Sequence, residues 1–193
     1  GFEWYYLWGQ CRESLLCPKL VHDSAVWGVA CSPDGQQLVT GSIRGRLTLW
    51  NIDTWKEIKS VSCDSRVTAV AFSPDGTLVA AVCGDGDLRL WSAADDKIRR
   101  LDAHRDKAWA VAFSPNGQRL ATADSSGQVL IWDTENWQSE AFPATHLVDV
   151  WGVAFSPDSN QLVTGGSAGE VVLWDVEAGD SRIMPDSPGS VRS

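Results

Sequence analysis

Four copies of one short block, set at a nearly fixed period, restrict what this chain can fold into. Ser-Pro-Asp/Asn followed by Gly or Ser recurs at Ser32-Pro33-Asp34-Gly35, Ser73-Pro74-Asp75-Gly76, Ser114-Pro115-Asn116-Gly117 and Ser156-Pro157-Asp158-Ser159. Eighteen residues after each Ser comes Trp50, Trp91, Trp132 or Trp174. Ten residues before it stands His22, Cys63, His104 or His146. A period of 41 or 42 residues means stacked copies of one supersecondary unit, each relying on its neighbours for a core.

The third copy, residues 104–143, shows what that unit is. A β-rich run over 108–113 stops at a turn where Pro115 presets φ and Gly117 relieves the last position, as a type I turn requires. A second strand is predicted over 119–123, then a hairpin at Ser125-Ser126-Gly127, a third strand over 128–133 and a weaker fourth around 139–142. Runs such as Val-Ala-Phe and Val-Leu-Ile-Trp are apolar at nearly every position, which indicates burial on both faces. Radial repetition of a small antiparallel sheet supplies a neighbour for each face.

On these residues the chain resembles the WD-repeat (WD40) family of β-propellers, over about residues 20–184. The four copies run from Val21-His22 to Trp50-Asn51, Ser62-Cys63 to Trp91-Ser92, Ala103-His104 to Trp132-Asp133 and Thr145-His146 to Trp174-Asp175. The resemblance implies an all-β fold of four four-stranded blades, at about 22–62, 63–103, 104–145 and 146–184, in a partial or open ring. It also implies a tetrad of His, Ser/Thr, Asp and Trp in each blade. By position this gives His22, Thr40 and Trp50 with Arg44 in the acidic slot, and Asp85 and Trp91 with Cys63 and Ala81 unable to complete the set. The third copy has His104, Thr122 and Trp132 with Ser126 in that slot; the fourth has His146, Thr164 and Trp174 with Ala168. No copy is expected to be complete, so each buried His must find another acceptor.

The same phase leaves little for chemistry. All three histidines fall at one structural position, and Asp34, Asp75, Asp85, Asp124 and Asp158 fall in turns, so no catalytic residue, metal site or cofactor is expected. Gly84-Asp85-Gly86-Asp87 lacks both the helix of a phosphate cradle and the ligand spacing of a calcium loop. A net charge of −9 and no dense Lys/Arg cluster argue against nucleic acid, and no apolar run reaches membrane-span length. Five cysteines without a Cys-x-x-Cys pair read as small buried hydrophobes in a reducing, cytoplasmic compartment.

Partner binding in such propellers is implied at the loop entering each innermost strand. The repeat phase puts Trp27, Thr68, Trp109 and Trp151 there, with Ala25, Arg66, Lys107 and Asp149 two residues earlier. Three indoles around one rim suit a protein-interaction surface, and packing between blades is the competing role. Residues 1–13, with Phe2, Trp4, Tyr5, Tyr6 and Trp8, form an aromatic lead-in similar to the segment preceding WD arrays in large bacterial serine/threonine kinase–WD40 proteins. Residues 14–21 read as a lone outer strand, which the resemblance implies would complete the blade of the last repeat, and 185–193 as a flexible tail. Because Gly1 is not Met, a piece of a longer parent is expected. The resulting expectation is a non-catalytic protein-interaction scaffold in a bacterial signalling protein. Binding of a small molecule or peptide in the channel, and regulation of an upstream kinase, are the alternatives. Self-association through exposed terminal blade faces is also expected.

Overall fold

A computed structural model of the chain describes residues 20, 22–142, 146 and 148–184. The expected lead-in over 1–13, the lone strand over 14–21 apart from Leu20, and the tail over 185–193 lie outside the described residues. Sixteen strands form four antiparallel sheets of four consecutive strands each, and no helix occurs among the described residues. The first sheet holds β1 (Val26–Cys31), β2 (Gln37–Ser42), β3 (Arg46–Asn51) and β4 (Lys56–Ser62). The second holds β5 (Val67–Phe72), β6 (Val79–Cys83), β7 (Leu88–Ser92) and β8 (Lys97–Leu101). The third holds β9 (Ala108–Phe113), β10 (Arg119–Asp124), β11 (Val129–Asp133) and β12 (Ser139–Ala141). The fourth holds β13 (Val150–Phe155), β14 (Gln161–Gly166), β15 (Val171–Asp175) and β16 (Ser181–Met184). The fourth blade has its own outer strand, β16.

The sheets stack face to face, with the first strands β1, β5, β9 and β13 packed side by side along the inner wall. Alternation along each strand sends one set of side chains forward to the next blade and the other back to the previous one. Forward residues Val39, Leu47 and Leu49 share a core with Val79, Ala81 and Trp91 of blade two. Ala80, Val82, Leu88 and Leu90 then meet Leu120, Leu130 and Trp132. Ala121, Ala123, Val129 and Ile131 meet Leu162, Val172 and Trp174. Two-sided burial explains why β6 is buried at all five residues.

The two ends of the stack differ, which corrects the expectation of two exposed terminal faces. On the rear face of blade one, Leu38, Thr40, Thr48 and Trp50 are buried, and the His22 ring stands edge-on to Trp50 with centroids 5.2 Å apart. Val29, on the inner strand of that face, is 58% exposed. The forward face of blade four is open: Val163, the counterpart of Val39 and Ala121, is 40% exposed.

Turn chemistry repeats as closely as the strands. In the first copy the Gly35 amide donates to the Ser32 carbonyl at 2.9 Å, and the Ser32 hydroxyl donates to Asp34 Oδ1 at 2.5 Å. Asp34 Oδ1 also accepts the Gln36 amide, and Ser32 Oγ accepts the Gln37 amide. Asn116 makes the same bonds in the third copy, so the turn depends on the side-chain oxygen rather than on charge. Gly35, Gly76 and Gly117 take φ of 71° to 74°; Ser159 takes 67° instead, and its hydroxyl accepts the Asn116 amide from the neighbouring blade.

The hairpin between second and third strands has a stricter requirement. Gly86 has φ of 91°, and a Cβ there would fall on the His104 carbonyl and within 2.7 Å of the Asp106 carbonyl. The Gly86 carbonyl accepts the His104 amide, so the hairpin of blade two clasps the lead of blade three. Gly86→Ala is expected to lower unfolding free energy by about 2 kcal/mol or more, combining the left-handed penalty with backbone displacement. Denaturant melts of the variant measure it.

Candidate functional site

The histidines expected to be structural can be placed one by one. In blade three, His104 Nε2 lies 2.8 Å from Thr122 Oγ1, which also accepts the Trp132 indole N–H at 3.0 Å. His104 Nδ1 lies 3.1 Å from Asp124 Oδ2. The acidic partner is thus Asp124, at the end of β10, not the position of Ser126; Ser126 instead donates to Asp124 Oδ1. In blade four, His146 contacts Thr164 Oγ1 at 2.6 Å and Glu170 Oε1 at 2.9 Å, and Trp174 donates to Thr164. Glu170 replaces Ala168 as the acid. It reaches the ring across Gly166, whose missing Cβ would otherwise collide with the carboxylate. Two of the four networks are therefore complete, correcting the expectation that none would be. Both acids lie off the expected phase, one from a strand end and one from a longer side chain.

Blade one keeps only the Trp50 to Thr40 bond, at 2.8 Å, while Arg44 is exposed and pairs loosely with Asp23. Blade two replaces the network with a buried guanidinium that the repeat phase did not indicate. Arg89 donates to Asp85 Oδ2 at 2.7 Å and to the Cys63 carbonyl at 3.1 Å, and pairs with Asp87, which also meets Arg100. Burial pushes the Arg89 guanidinium down, and Asp85, Cys83 and Asp87 together more than restore it. The charge in Leu88-Arg89-Leu90-Trp91, an otherwise apolar run, was the available signal. With Ala81 in place of the usual Thr, the Trp91 indole N–H is buried without an acceptor. Cys63 and Cys83 form no disulfide, and contact with Cys63 together with burial pushes the Cys83 thiol up. Cys11 and Cys17 lie outside the described residues.

The expected rim residues sit at four β-bulges. Val26 pairs with Ser42 and Gly28 with Gly41, leaving Trp27 as the extra residue of β1. Thr68, Trp109 and Trp151 are the extra residues of β5, β9 and β13 in the same way. A bulge re-aims its side chain, and here all four are brought to one concavity on the inner wall. The cavity measures about 640 Å³ and is otherwise lined mainly by small and β-branched apolar residues. Trp27, 50% exposed, meets Trp109 two blades away, with ring centroids 6.1 Å apart and planes tilted by 38°. Trp109 Nε1 donates to Asp149 Oδ1 at 3.0 Å.

Thr68 differs from the tryptophans. It is buried, and its hydroxyl lies between the Val82 and Ala108 carbonyls at 2.9 and 2.6 Å, tying blade two to blade three. It belongs to the wall rather than to an exposed rim. Ala25, Arg66, Lys107 and Asp149 are held alike: each backbone carbonyl accepts an amide from the hairpin of its own blade, at Ile43, Gly84, Ser125 and Ser167. Arg66 and Lys107 are exposed, and Asp149 is half-buried. Among the described residues no group of three or more His, Cys, Asp or Glu is placed to hold a metal ion.

The model of the WD domain, G-beta repeat, matches residues 15–51, 55–92, 95–133 and 140–175. The chain belongs to the WD-repeat family. No curated protein sequence matches it. Each WD match ends one residue after the Trp of its third strand, Trp50, Trp91, Trp132 or Trp174, where that indole closes the polar network in three of the four blades.

Two outcomes follow from these WD networks. Trp132→Phe removes the N–H that reaches Thr122, whereas Trp91→Phe removes an N–H that has no acceptor. Trp132→Phe is expected to cost about 1 kcal/mol more in chemical unfolding. Acidification acts on the carboxylates. Burial raises Asp124, and His104, Ser126 and Gln128 more than offset this, holding it below 3.8. Hydrogen bonds from Ser32, Ser73 and Ser156 hold Asp34, Asp75 and Asp158 below 3.8 as well. Depressed folded values mean stability that is present above about pH 4 and lost as pH falls through them. The melting temperature is expected to drop below about pH 4, and less steeply in Asp124→Asn.

Proposed function

We propose that this chain is a non-catalytic protein-interaction scaffold that docks partners at the mouth of its inner wall. The observation that carries this reading is the convergence of Trp27, Trp109 and Trp151 on one cavity, with the largest of these surfaces, Trp27, left half in water. Bulky indoles at a concave, partly desolvated position are the residue type that dominates interface energetics. Asp149 lines the cavity as an orienting charge, and Arg66 and Lys107 are exposed at the equivalent positions of blades two and three. WD repeats point to the same class of role. The two histidines with complete networks are held by structural partners on both ring nitrogens, which fits a scaffold better than acid–base chemistry.

In this reading the array serves a cytoplasmic signalling protein of bacterial type, with regulation of a kinase domain carried upstream as an alternative. Among the described residues no helix is long and apolar enough to cross a membrane. The charge of −9 disfavours nucleic acid as the partner. The open forward face of blade four offers a route to self-association. A second reading, capture of a peptide or small molecule within the channel, is favoured by the cavity volume of about 640 Å³, which lies in the range of ligand sites.

Trp27→Ala discriminates between docking and internal packing. Its melting temperature is expected to stay close to wild type, because half of the ring is already in water. Recovery of specific partners on the immobilised chain is expected to fall at least about tenfold, one to two kcal/mol of hot-spot energy. Unchanged recovery alongside a lowered melting temperature would assign the ring to packing.

A further inference from the structure

The mouth joins aromatic faces to a single half-buried carboxylate, and that combination selects the charge of what enters. Asp149 Oδ1 is held by the Trp109 indole N–H at 3.0 Å, while its second oxygen takes no donor among the described residues. Trp27 leans on Trp109 at 38° rather than stacking flat, so much of the Trp27 ring remains open to solvent. Trp151 lines the same cavity two residues beyond Asp149. An indole face attracts cations through its quadrupole, and it does so more strongly where water is partly excluded. A carboxylate beside such a face adds directed acceptors.

We propose that this mouth takes the guanidinium of a single arginine in a partner peptide, stacked on Trp27 and hydrogen-bonded to Asp149. Arginine fits better than lysine because its planar, weakly hydrated group can stack and donate at once. Charges on the neighbouring blades limit the peptide further. Arg66 and Lys107, exposed at the equivalent positions of blades two and three, disfavour a run of basic residues and favour acidic neighbours around the arginine. The partner segment is therefore one arginine flanked by Asp or Glu. This inference rests on the scaffold reading above and names the partner chemistry of that same surface.

The test titrates the intact chain with a capped Gly-Glu-Arg-Glu-Gly peptide, by calorimetry and by the indole N–H resonances in nitrogen-15 spectra. Binding is expected, with the Trp109 Nε1–H resonance moving. Replacing arginine by citrulline, which keeps the shape and removes the charge, should weaken binding at least about tenfold. Asp149→Asn should do the same, since its amide oxygen still accepts from Trp109 and the melting temperature serves as the folding control. Trp27→Ala, at an exposed ring, provides a second variant that leaves the fold in place. No binding at millimolar peptide, equal binding of the citrulline peptide, or full affinity in Asp149→Asn would each overturn the proposal. Equal affinity for the lysine peptide would overturn the choice of guanidinium. If the arginine peptide fails while partner recovery still depends on Trp27, only this inference falls. If the peptide binds while partner recovery ignores Trp27, the scaffold reading falls and the arginine site stands.

Discussion

A four-stranded sheet that is apolar on both faces cannot be stable alone, and every other feature of this chain follows from covering those faces. The side-chain period of two sends Val39 and Leu49 one way and Leu38 and Trp50 the other, so each blade carries two dry surfaces. Stacking solves this for three interfaces, and the packing at each is built the same way: small or branched residues forward, a large Leu or Val and a Trp behind. At the fourth forward face the series stops, and Val163 shows what an uncovered copy looks like.

Apolar packing is uniform along the array, whereas the polar ties are not. A Thr hydroxyl serves the Trp indole in blades one, three and four, and a His joins it in the last two. The acid then comes from wherever geometry allows, Asp124 from a strand end and Glu170 across the gap left by Gly166. Blade two drops the arrangement and buries Arg89 between Asp85 and Asp87. A buried indole N–H left without a partner costs about 1–3 kcal/mol, and the close packing around Trp91 must outweigh it. The fold thus tolerates a varied polar layer because the apolar one carries the stacking.

The residues of the proposed docking surface are concentrated where the ladder is irregular. The inner strand of each blade carries one residue too many at the same position, and the bulge turns that side chain to the concave wall. Regular pairing there would have sent the tryptophans into the interfaces between blades. Curvature of the stack then brings Trp27 and Trp109 together from blades one and three. Thr68 occupies the same bulge with a small polar side chain and closes the wall between blades two and three instead.

Much of this was legible in the residues. Turns such as Ser32-Pro33-Asp34-Gly35 and the fixed distance to Trp50 specify local geometry, because turn φ values, strand alternation and hairpin glycines are short-range properties. They determined the strands, their grouping into blades and the structural position of His104 and His146. What they could not carry was any choice made between segments distant in sequence. Reading by phase placed the acid at Ser126 and Ala168. The folded chain chose Asp124 and Glu170 because carboxylate reach depends on the packed positions of two strands and on the space beside Gly166. The bulges, the Arg89 cluster and the unequal terminal faces were likewise decided by tertiary structure. Register shifts, burial of charge and coverage of a face are properties of neighbours in space, and a repeating sequence does not distinguish one neighbour from the next.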